Sequence, residues 1–112
     1  MKKILFAGIT LLFSLSAAAV TEPHTAAALE HANAAVAEGK AGKAENLVKH
    51  AFPALEHAMS AALVVKGIAK THLDGATSEL EAAVEHGKLG HAEVATQHAE
   101  AAVAHLTAST EK

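Results

Sequence analysis

Beyond residue 20 the chain sets apolar residues three, four or seven apart. They run Leu29, Ala32 and Val36; then Leu47, Ala51, Leu55, Ala58 and Ala62; then Leu73, Leu80 and Val84; then Ala95, Ala99, Val103 and Leu106. That spacing keeps one face of a 3.6-residue helix apolar and leaves the other faces polar. The residues between are mostly Ala, Glu and Lys, all good helix formers. Glycines punctuate the pattern. Gly39 and Gly42 enclose two residues in the first half, Gly87 and Gly90 enclose two in the second, and Gly67 separates the halves. Glycine after a helix is the usual stop, so each pair reads as a tight turn between two helices. Thr21 with Pro23 fits a capped helix start, and Thr71 with Asp74 fits a capping box with Asp in the place of Glu or Gln. These signals predict four helices at about 22–38, 42–65, 71–86 and 90–108. Pro53 falls inside the second and, lacking an N–H for the Lys49 carbonyl, is expected to kink it.

The two halves repeat. Moved by 48 residues, Ala34-Ala35-Val36 lands on Ala82-Ala83-Val84, Gly39-Lys40 on Gly87-Lys88, Gly42 on Gly90, His50-Ala51 on His98-Ala99, and His57 on His105. Two hairpins of about 22–65 and 71–108, each with an apolar stripe, predict an all-α four-helix bundle built from two repeated antiparallel hairpins. The stripes are rich in Ala, which buries little area per residue, so modest stability is expected.

The first residues follow a different pattern. Met1-Lys2-Lys3 is basic, Ile4 to Leu15 is almost wholly apolar, and Ala17 and Ala19 fit a small-residue cleavage site. This reads as a signal peptide over 1–19, leaving a helical domain at 20–112 in the periplasm or secreted. The apolar run is short of the roughly 20 residues that a membrane span needs. Without Lys2 and Lys3 the formal net charge moves from −3 to −5. An acidic chain with no Arg, Trp or Tyr lacks the basic patches and stacking rings of a nucleic-acid binder. It has no Cys, which excludes thiolate chemistry. No nucleophile grouping or phosphate loop points to an enzyme.

The nine His change the picture most. His24 and His31 are seven apart, as are His50 and His57, and as are His91, His98 and His105; His72 and His86 are fourteen apart with Glu79 midway. Seven residues is about two helical turns, so each set forms one row, roughly 75–140° round the helix from its apolar stripe. Successive members of a row lie about 10.5 Å apart, too far for one ion to bridge, so a shared site must join two helices. Folding each hairpin at its turn supplies such pairs. In the first, His24 faces His57, His31 faces His50 and Glu38 faces Lys43, each pair summing to 81. In the second, His72 faces His105, Glu79 faces His98 and His86 faces His91, each summing to 177. The expected metal ligands are therefore His24, His31, His50, His57, His72, Glu79, His86, His91, His98 and His105. Lys43 offers no lone pair while protonated, and its rung is expected to be a surface ion pair with Glu38. Neutral imidazole suits Cu(II) best, with Ni(II) and Zn(II) the next candidates. Binding is expected to fail below the ordinary imidazole pKa, about 6.5.

The His-rich hairpins, best in His86-Gly87-Lys88-Leu89-Gly90-His91-Ala92 and Ala95-Thr96-Gln97-His98-Ala99-Glu100-Ala101, resemble the periplasmic small metal-binding protein family. The resemblance covers nearly all of the chain after the leader. It implies a His-rich four-helix bundle that binds several divalent metals, notably copper. The family's pattern would place His where Glu38, Lys43 and Glu79 stand, so the implied role carries to the nine remaining His and implies lower capacity or affinity. Metal ions are the expected partners. No membrane attachment is expected after leader cleavage, and self-association through the Ala-rich stripes is an open expectation. The competing reading is an exported structural or interaction protein whose His rows form a solvated, pH-sensitive face.

Overall fold

A computed structural model describes residues 21–111. The segment read as a signal peptide lies outside the described residues. Within residues 21–111 four helices follow in order: α1 (Pro23–Lys40), α2 (Ala44–Val64), α3 (Ile68–Lys88) and α4 (Ala92–Ser109). The α1–α2 and α3–α4 pairs pack most closely, α2 also packs on α3 and α1 on α4, and the α2–α4 diagonal is slight. The helices thus stand in ring order as two antiparallel hairpins, and this all-α bundle agrees with the expectation from the sequence. None of the described helices is long and apolar enough to cross a membrane.

Three local readings are corrected. Gly39 and Gly87 do not stop their helices, which run on to Lys40 and Lys88. The stop falls three residues later, at Gly42 and Gly90, whose φ values of 77° and 80° lie in the left-handed region that glycine enters without penalty. Each turn closes with two backbone bonds. Gly42 N–H donates to Gly39 O at 2.9 Å and Lys43 N–H to Glu38 O at 3.0 Å; Gly90 N–H donates to Gly87 O at 3.0 Å and His91 N–H to His86 O at 2.9 Å. This is the Schellman arrangement, which satisfies two carbonyls left over at a helix end. The capping box at Thr71 also fails. Helix α3 begins at Ile68 after Gly67 with no side-chain cap, and Asp74 instead takes the Lys70 ammonium at 2.9 Å, one turn away. At α1 the cap is Glu22 rather than Thr21. Its carboxylate accepts from the Thr25 backbone N–H at 2.8 Å and the Thr25 hydroxyl at 3.0 Å, with Pro23 in the first turn. Helix α2 continues unbroken through Pro53.

The core is built from alanine. Among the described residues twelve of the seventeen buried apolar ones are Ala, against four Leu and one Val. On α1 the buried line is Ala28, Ala32, Ala35 and Gly39, so Leu29 and Val36 stand at its edge. Size is no guide to depth here: Ala28 and Ala35 lie one position before Leu29 and Val36 and are the residues at the centre. A short methyl lets backbones approach, and the fully buried Leu47, Leu73, Leu80 and Leu106 fill the space that remains. The buried glycines serve the same end where the hairpins meet. A Cβ on Gly39 would collide with the Thr96 hydroxyl of α4 and come within 2.7 Å of Leu47 Cδ1. A Cβ on Gly87 would collide with Val48 of α2.

Candidate metal centre

The bundle's core occupies one stripe of each helix, and the His rows lie beside it. Seven of the nine His are half-buried; His24 and His91 are exposed. Each row lines the outer groove of its own hairpin. In the ring order of the helices these grooves lie on opposite sides of the bundle, and among the described residues every His–His approach is within one hairpin. The two rows therefore do not converge.

Five of the six expected facing pairs approach each other. His24 Nδ1 and His57 Nδ1 are 3.0 Å apart, and His72 Nδ1 and His105 Nδ1 are 3.3 Å apart. His31 faces His50 with ring centroids 6.1 Å apart, and His86 faces His91 at 6.0 Å. His98 Nδ1–H donates to Glu79 Oε1 at 2.8 Å. The Schellman turns explain the rungs nearest the bend. The residue pair that closes such a turn brings its side chains together, and in the second hairpin that pair is His86 and His91. In the first it is Glu38 and Lys43, yet the ion pair expected there is absent among the described residues. Glu38 accepts from Asn46 Nδ2 at 3.3 Å instead, since one turn along α2 an amide reaches back to the carboxylate.

The rows also carry contacts that facing pairs do not account for. His31 stacks on His57 at 5.8 Å with an interplanar angle of 7°, and His86 stacks on His98 at 5.4 Å and 11°. In the first hairpin the rings consequently zigzag without a gap from His24 through His57 and His31 to His50. Gly75 is a further unexpected element. A Cβ there would lie 2.9 Å from the His105 ring, so this ring rests on bare helix backbone. A glycine in the interior of a predicted helix was the available signal, since it weakens the helix unless something approaches closely.

The donor set fits a divalent ion two nitrogens at a time. With metal–nitrogen bonds of about 2.05 Å, nitrogens 3.0 Å and 3.3 Å apart subtend about 94° and 107° at the ion. Those angles are near the square-planar and tetrahedral values respectively. Without metal, one Nδ1–H of a rung donates to the other Nδ1, so each pair shares a single proton on the inner side. An ion can take its place if that proton moves to the outward Nε2. Nowhere among the described residues do three His, Asp or Glu side chains already surround one point. Each rung is thus a two-toothed clamp, with the remaining coordination open to water.

No curated protein matches the chain. The sequence profile of the family described as small metal-binding protein matches residues 1–109. With a ladder of imidazole pairs on a four-helix bundle, and that match across nearly its whole length, the chain belongs to the small metal-binding protein family.

Proposed function

We propose that the chain binds divalent transition-metal ions, foremost Cu(II), in the inter-helix rungs made by His24, His31, His50, His57, His72, His86, His91, His98 and His105, with Glu79 completing the rung of His98. The observation that carries this reading is the Nδ1–Nδ1 separation of 3.0 Å in one hairpin and 3.3 Å in the other, the span of two nitrogens on one ion. Copper leads because imidazole-only sites follow the usual order of divalent affinities, in which Cu(II) stands highest. The role is binding and buffering of ions outside the cytoplasm, with no catalytic step. The leader-like pattern of Met1 to Ala19 supports export.

Isothermal titration with Cu(II) at pH 7.5 and again at pH 5 tests this. The expected result is several ions bound at the higher pH and none at the lower, where imidazoles are protonated. Flat heats at both would refute it.

A second reading, association of copies, is favoured by one observation. Phe52, Met59 and Leu63 on α2 and Ile68 at the start of α3 are exposed, Leu63 by 87% and Ile68 by 78%. A mass that rises with concentration and ignores metal would favour it.

A further inference from the structure

The second hairpin contains an arrangement that the first lacks. His98 gives its Nδ1 proton to the Glu79 carboxylate at 2.8 Å. A carboxylate only accepts, so this bond fixes His98 as the Nδ1–H tautomer and leaves the lone pair on Nε2. Both side chains are about two-thirds buried, exposed by 34% and 31%, which shields the bond from competition by water. The next ring along is His86, stacked on His98 with centroids 5.4 Å apart. Its Nδ1 is the one buried side-chain nitrogen or oxygen among the described residues that has no hydrogen-bond partner. A buried polar atom left unmatched is a deficit that a ligand can remove. The backbone beneath it is held by the Schellman bond from His91 N–H to His86 O at 2.9 Å.

We propose that His86 and His98 form a distinct site for one divalent metal ion, the first to fill, in which Glu79 is a positioning residue and not a ligand. The ion lies between His98 Nε2 and His86 Nδ1, with water completing its coordination. Glu79 behind His98 holds the ring in its donor tautomer and makes the nitrogen more basic. This rests on the proposed metal-binding role and revises two of its rungs: His86 and His98 pair on a diagonal, in place of the facing pairs His86–His91 and Glu79–His98. The dimensions allow it. Two imidazoles on one tetrahedral ion place their centroids about 5.2 Å apart, against 5.4 Å here, so rotation of the rings about their own side-chain bonds is the main adjustment. The first hairpin has no equivalent. The residues 48 positions before Glu79 and His86 are His31 and Glu38, which puts an imidazole and a carboxylate in exchanged places.

The test uses the full chain with 15N-labelled histidine, followed by NMR as Zn(II) is added from well below one equivalent. His98 is expected to be the Nδ1–H tautomer before zinc. The first signals to move are expected to be His86 and His98, with zinc on His98 Nε2 and His86 Nδ1. E79A should mix the tautomers of His98 and weaken this first site by about 10–100-fold, the usual effect of losing such a partner, while leaving the other sites unchanged. E79Q keeps an acceptor oxygen and should retain the tautomer. Zinc on His98 Nδ1, or first filling at His24 and His57 or at His72 and His105, would overturn this proposal and leave the metal-binding role standing. No histidine signal moved by zinc or by Ni(II) would overturn both.

Discussion

Removing one imidazole from within the zigzag of the first hairpin should remove one ion and little else. His57 is the informative position, since its Nδ1 lies 3.0 Å from His24 Nδ1 and its ring stacks on His31 at 5.8 Å. In the H57A variant, His24 keeps a single donor. A second nitrogen confined to within about 5 Å of the ion acts at an effective concentration of about 3 M. If a lone imidazole holds the ion with a Kd of about 1 mM, losing that second donor weakens the rung about 3 × 10³-fold, or about 5 kcal/mol. The fold should survive. Alanine is the better helix former by about 0.5 kcal/mol, and the lost imidazole hydrogen bond is worth about 1 kcal/mol, so the terms nearly cancel. Calorimetric titration with Cu(II) or Ni(II), at concentrations that fill the native rungs, should therefore show one ion fewer with an unchanged far-UV spectrum. H50A should remove a different ion, from the rung of His31, and leave that of His24 and His57. An H57A protein that is folded and binds the same number of ions with the same affinities would refute the pairing.

Other consequences follow from the packing and the caps. Gly39→Ala should destabilise the bundle by about 1–3 kcal/mol in thermal or urea unfolding, because the new methyl meets Thr96 and Leu47 in the core. Gly75→Ala should instead be neutral or stabilising by up to about 1 kcal/mol, since only the His105 ring must give and Ala27 already stands at the matching position of the first repeat. Saturating metal should raise the melting temperature, with about 2.7 kcal/mol per site at a free concentration of 100 Kd, and a chelator should reverse it. Burial raises the Glu22 carboxyl, but the backbone N–H groups of Thr25 and His24, the Thr25 hydroxyl and the His24 charge outweigh it and set its pKa below the usual value. Its contribution to stability is thus fully present above the unfolded carboxyl pKa, about 4.3, and is lost as pH falls through the lower folded value. E22Q should flatten that part of the stability–pH curve.

The helices, the repeat and the rungs were legible because each is a matter of spacing. A seven-residue row on each of two antiparallel helices leaves few ways to pair, and His24–His57 and His72–His105 met as the constant sums required. Depth within the bundle was less legible. Leu29 and Val36 looked central by size, but backbone proximity put Ala28 and Ala35 there. Turn chemistry was misplaced by three residues because Gly39 and Gly42 look alike in sequence, while only Gly42 needs a left-handed φ and Gly39 needs an absent Cβ. The stacks of His31 on His57 and His86 on His98 were not foreseen. They depend on side chains leaning along the groove, which a pairing of facing positions ignores.

If the rungs are the sites, ions sit between histidines of facing helices. Anomalous diffraction at the metal's absorption edge, from crystals of the chain grown with Zn(II) or Cu(II), tests it most directly. The expected result is a peak about 2 Å from nitrogens of two His on different helices of one hairpin, in both hairpins. Peaks confined to single exposed His, or an absence of bound metal in a folded chain at neutral pH, would contradict it.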